Sequence, residues 1–109
     1  MFKKILLIFT LLLPFYAFSG TQTGKVAWLI VRASDGLIYF GIEGSPASGK
    51  PQCATLSYWM IRDENSNVGK QQYSLLLTAY ASGKPVEIVG MNSCKRWGDG
   101  EDVNTIKIK

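Results

Sequence analysis

The sequence predicts a small, mainly β domain with one helix and one disulfide, preceded by an export leader. Three observations carry that class. Short runs rich in Val, Ile, Trp and Tyr alternate with glycine and polar turns. A single later segment has helical apolar spacing. The chain has 109 residues, enough for one domain, and two cysteines without any histidine.

The leader comes first. Met1-Phe2-Lys3-Lys4 is a positive start, and Ile5 to Phe18 is an apolar run. Ala17 and Ser19 suit the small positions before a signal-peptidase cut, which places the cut after Ser19. Residues 1–19 are then a signal peptide and 20–109 the domain. The apolar run is shorter than the roughly 20 residues a spanning helix needs, and Pro14 interrupts it, so no stable membrane anchor is expected. The expected location is secreted or periplasmic. Losing Lys3 and Lys4 takes the formal charge from +4 to +2. That balance is too weak for a nucleic-acid footprint, so no nucleic acid is expected as partner.

In an exported chain of this size the pair Cys53 and Cys94 reads as a disulfide. Closing a loop of some 40 residues stabilises a small core by roughly 4 kcal/mol on the chain-entropy model.

Five strands and a helix follow in order. Lys25–Ala33, "KVAWLIVRA", is a strand apolar on both faces. Val26, Trp28 and Ile30 share one face, and Ala27, Leu29 and Val31 the other. "SDG" at 34–36 turns the chain into Leu37–Glu43, where Ile38, Phe40 and Ile42 alternate and Gly41 marks a bulge or bend. Cys53–Ile61 is a third strand, with Ala54, Leu56, Tyr58 and Met60 opposite Thr55, Ser57 and Trp59. The helix spans about 68–82. Tyr73, Leu76, Leu77 and Tyr80 form its apolar face, Gln71, Ser74 and Thr78 a polar one. Ser66 or Asn67 caps its start, and Gly83 and Pro85 end it. Pro85–Met91 and Val103–Ile108 are the last strands, joined by the polar loop "NSCKRWGDGED". Three strands, a helix and two strands is the order of a five-stranded OB-fold-like barrel with its helix between strands three and four. Another small α+β sheet with the helix on one face accommodates the same order.

"GSPASGKP", Gly44 to Pro51, has the spacing of a phosphate-cradling loop up to Lys50. Pro51 then replaces the required hydroxyl, and a strand rather than a helix follows. The same "ASGKP" recurs at 81–85 as a helix terminator, so both copies are turns. Asp63, Asn65 and Asn67 imitate a calcium loop, but Val68 occupies the glycine position and Ser74 the glutamate position. Asp99, Glu101 and Asp102 read as an exposed acidic turn. No metal and no cofactor are expected. Without histidine, and with both cysteines oxidised, neither a histidine-based triad nor a thiolate nucleophile is on hand, so no enzyme is expected.

Binding remains. Trp28, Trp59, Tyr39 and Tyr58 are expected mainly in the core, because aromatics supply much buried area. Trp97 stands apart in the polar loop beside Lys95, Arg96, Asp99 and Asn92. An aromatic platform rimmed by hydrogen-bonding groups suits a sugar ring. A lid over the disulfide is its other use.

The stretch 39–94 resembles the B subunits of subtilase-cytotoxin and pertussis-like AB5 toxins. "YFGI" (39–42), "SGKP" (48–51), "CA" (53–54), "LLLTAYASGKPVEI" (75–88) and "SC" (93–94) carry the likeness. The resemblance implies an OB-fold, a homo-oligomer that is a pentameric ring, a cell-surface glycan as ligand and a toxin A subunit as partner. Ser34 and Ser45 stand as substitutes for, not matches to, the family's sugar-contacting serine. The segment "GTQTG" before the first strand is short for the family.

Overall fold

The computed structural model describes residues 19–109. The expected leader up to residue 18 lies outside the described residues. Six strands and one helix follow along the described chain: β1 (Thr21–Gly24), β2 (Val26–Val31), β3 (Ile38–Ile42), β4 (Trp59–Met60), α1 (Asn67–Ser82), β5 (Val86–Gly90) and β6 (Glu101–Ile108). The strand order is β1-β5-β6-β4-β3-β2. All pairs are antiparallel except β4 with β6, which run parallel. The expected five-stranded closed barrel is thus corrected to a six-stranded sheet.

The added strand comes from "GTQTG", the segment before the first expected strand. It pairs Thr21 to Gly24 with Val89 to Val86. Lys25 alone separates it from β2, and its carbonyl accepts from Glu43 N at 2.9 Å. One chain segment therefore supplies both ends of the strand order. Its two halves serve different partners, Thr21–Gly24 pairing with β5 and Val26–Val31 with β3.

A bulge between Val26 and Trp28 shifts the β2–β3 register. That shift overturns the simple alternation expected of this strand. Val26 is buried and Leu29 packs on the core, while Trp28, Ile30 and Val31 face outward.

The third expected strand shrinks to Trp59–Met60. Residues 53–58 are spent in turns instead: Ala54 N donates to Pro51 O, and Leu56 N to Asp99 O. Lys50 Nζ takes the carbonyls of Ser57 and Tyr58 at 3.2 and 3.0 Å. Those carbonyls then need no sheet partner. Trp59, Met60 and Ile61 are all fully buried, against the expected two-faced alternation.

The helix starts one residue before the expected position. Ser66 is its cap, its Oγ accepting from Gly69 N at 2.9 Å, and Gly83 closes it at φ 71°. The buried stripe is Gly69, Gln72, Leu76 and Ala79. The expected face is corrected in part: Tyr73 only packs against the core's edge, and Leu77 and Tyr80 are exposed. Gly69 lets the loop that precedes the helix pass close to its first turn. A Cβ on Gly69 would overlap the Asp63 carbonyl.

The core joins Phe40, Trp59, Ile61, Leu76, Val86 and Ile88, all without exposed surface. Trp59 Nε1 is satisfied there by Gln22 Oε1 at 2.8 Å. The Cys53–Cys94 disulfide forms as expected across a separation of 41 residues. Among the described residues no helix is long and apolar enough to cross a membrane.

Candidate functional site

β6 begins two residues earlier than expected, and this builds the site. Glu101 and Asp102 lie within the strand and are fully buried, not exposed in an acidic turn. Asp102 organises the loop before it. Its carboxylate accepts from Ser93 Oγ at 2.7 Å, Lys95 N at 2.8 Å and Arg96 N at 3.1 Å. Charge-assisted bonds from three donors fix the path from Ser93 to Arg96. The disulfide pins Cys94 within the same path.

Arg96 braces the loop from outside. Its Nε and Nη2 meet Glu64 Oε1 and Oε2 at 3.0 and 3.1 Å, and Nη2 also donates to the Asp35 carbonyl at 3.0 Å. The guanidinium holds the Glu64 carboxyl below its ordinary value. Asp35 in turn takes Arg32 Nε and Nη2 and the amide of Leu37. The Arg32 hydrogen bond, then the Leu37 amide, depress the Asp35 carboxyl well below its ordinary range.

Held this way, Trp97 lies under the Arg32 guanidinium, 4.2 Å from ring centroid to Cζ. Next to it a cleft of about 260 Å³ opens between Arg32, Tyr39, Tyr58, Met60, Trp97 and Asp99, with Leu37 at its base. Tyr58 donates to Asp99 Oδ1 at 2.6 Å. Desolvation, reinforced by that hydrogen bond, pushes the Tyr58 hydroxyl up to about 12. The group is a proton donor, not a base. Trp28, Tyr39 and Tyr58 meet edge-to-face, with centroids 5.4 to 6.5 Å apart.

Of the residues singled out in the sequence, Trp97 and Asp99 reach this cleft. Arg96 stands behind it, committed to Glu64 and Asp35. Asn92 does not join them. It holds a left-handed turn at φ 59° and gives its amide to Glu101 at 2.9 Å. Ser34 is in the exposed β2–β3 turn and lines no part of the cleft. Arg32, Tyr39 and Tyr58 were missed as lining residues. Tyr39 and Tyr58 read as core, and only the pairing of β3 with β4 shows that their rings share an outer face. Trp59 alone of the aromatics expected in the core is fully buried.

The cleft can hold a flat, partly apolar ring against the aromatic walls. Arg32 and Asp99 supply donors and an acceptor at its rim. No family model, curated protein or solved structure matches the chain.

Proposed function

We propose that the chain is an exported, non-enzymatic binding module of OB-fold type whose ligand is a sugar. The single observation that carries the ligand is the cleft that Tyr39, Tyr58 and Trp97 line together with Arg32 and Asp99. Apolar C–H faces of a sugar pack on aromatic rings, and its hydroxyls pair with charged rims. The OB-fold reading draws support from three relations. The two ends of the strand order are consecutive in the chain, β4 and β6 pair in parallel, and the helix falls between β4 and β5. Export draws support from the leader pattern and agrees with the disulfide. A glycan array probed with the 20–109 chain tests the ligand. Binding that disappears in both Trp97→Ala and Tyr39→Ala is expected. An array without hits defeats the sugar reading.

A second reading, association through an outer face, rests on a different observation. Leu75, Leu77 and Tyr80 of α1 and Ile30 and Val31 of β2 are exposed. Copies of this chain assembling as a ring, pentameric as the toxin resemblance implies, or an A subunit seated on such a ring, would cover them. Light scattering distinguishes a ring from a monomer of about 10 kDa (roughly 90 residues of ~110 Da).

A further inference from the structure

Glu101 is a buried carboxylate without a side-chain counter-ion. It has no exposed surface, and among the described residues none of the ion pairs includes it. Its neighbour Asp102, equally buried, has Arg62 at 3.9 Å. Lys50 is the cation nearest in influence, but its Nζ is spent on the Ser57 and Tyr58 carbonyls and the Trp59 ring face. Desolvation lowers Lys50 to about 8 despite the opposing pull of Glu101.

What does meet Glu101 is backbone. Gly20 N sits 3.1 Å from both Oε1 and Oε2, and Asn92 N lies 2.9 Å from Oε2. Gly20 is itself buried, and its carbonyl accepts from Gly90 N at 2.9 Å. Close approach needs glycine at both places: a Cβ on Gly20 would overlap Glu101 and Lys50, and one on Gly90 would overlap the Glu101 carboxylate. The nitrogen cradled between the two carboxylate oxygens is also the nitrogen that the expected cut after Ser19 would free.

We infer that removal of the leader installs the chain's own terminal ammonium as the counter-ion of buried Glu101, so that processing completes the fold. The inference rests on the leader reading. A signal peptidase directs water onto the Ser19–Gly20 amide. The Ser19 carbonyl carbon takes the hydroxyl and becomes a carboxylate, and the Gly20 nitrogen keeps the bonding pair and takes up protons. An amide that shares one hydrogen between two oxygens becomes an ammonium with three. Its positive charge neutralises a carboxylate held out of water, where an unpaired charge is costly. An unprocessed chain offers the same position only an uncharged amide.

The test compares four proteins exported with their own leader: wild type, a variant with Ala-Ser inserted between Ser19 and Gly20, Glu101→Gln, and the combination. Mass spectrometry first gives each terminus, and thermal unfolding follows. The inserted pair is expected to lower Tm by roughly 5–10 °C at about pH 6.5. A free α-amine has an ordinary pKa near 7.7–8, and pairing with Glu101 raises it. Its contribution is therefore complete below that value and lost as pH rises through the folded one. The gap between wild type and insertion should close by about pH 10. Lys50, the other titrating group facing Glu101, is present in both and does not create the gap. In the Glu101→Gln background the insertion should change Tm by under about 2 °C.

A wild-type terminus other than Gly20 overturns the processing claim together with the leader reading. A Gly20 terminus with no gap, or with a gap unchanged at every pH, overturns the ion pair and leaves export standing. An equal gap in the Glu101→Gln background does the same. If that substitution fails to fold, the pH dependence of the wild-type gap decides alone.

Discussion

Trp28 packs against Gly41, its direct partner across β2 and β3, in space that a Cβ on Gly41 would overlap. The glycine is therefore the seat of the indole and, through it, of the Trp28–Tyr39–Tyr58 cluster. Gly41→Ala should push the indole out and cost about 1–3 kcal/mol. Urea unfolding gives the cost, and near-ultraviolet circular dichroism reports loss of the aromatic arrangement. Gly98→Ala is the control. It adds a methyl into open space and should shift stability by less than about 0.5 kcal/mol.

Asp102 should prove the anchor of the Trp97 loop. Asp102→Ala strands the Ser93 hydroxyl and the amides of Lys95 and Arg96, and removes the partner of Arg62. A loss of about 3–5 kcal/mol is expected. Trypsin should then cut after Lys95 or Arg96 far faster than in the wild type. Unchanged digestion would count against the anchoring role.

Cys94→Ser opens a closed loop with a separation of 41 residues. It should lower stability by about 2–5 kcal/mol. Unfolding of the oxidised wild type, with and without a reductant, should show the same difference.

Tyr58 should ionise near its value of about 12. Absorbance at alkaline pH follows it, with Tyr58→Phe identifying the step. Because the folded state keeps this proton when an unfolded tyrosine near 10 has lost it, stability falls as pH rises between the two values. Asp99→Asn removes the charge that accepts the hydroxyl and should move the step downward.

Local chemistry made much of this fold legible in advance. The helix could be read because Ser66 caps it and Gly83 supplies a left-handed exit, both short-range effects. The disulfide followed from the count of two cysteines and the leader pattern read before them. Strand positions at Ile38–Ile42 and Val86–Gly90 followed from alternation. Lys50 was less accessible to such reading. It terminates a strand pattern by capping carbonyls seven and eight residues on, which no periodicity records. Glu101 and Asp102 looked like surface because charged residues usually are. Their burial depends on amides contributed from residues 20, 92, 95 and 96. The cleft was half visible for the same reason: Trp97 announced itself by its polar surroundings, whereas Tyr39 and Tyr58 acquired an outer face only through strand pairing.

β1 pairs with β5 across more than half of the domain, and Gly20 meets Glu101 across 81 residues. A chain is made from its N-terminus, so Thr21–Gly24 emerges before the other strands of the domain and must wait for residues 86–90 before it has its strand partner. Long-range closure of this kind slows folding, to the range of milliseconds to seconds for topologies dominated by it. The segment produced earliest is thus among the last to be fixed. Until β5 and β6 arrive, the edge of that strand which meets β5 is open to whatever holds extended chains at the site of synthesis.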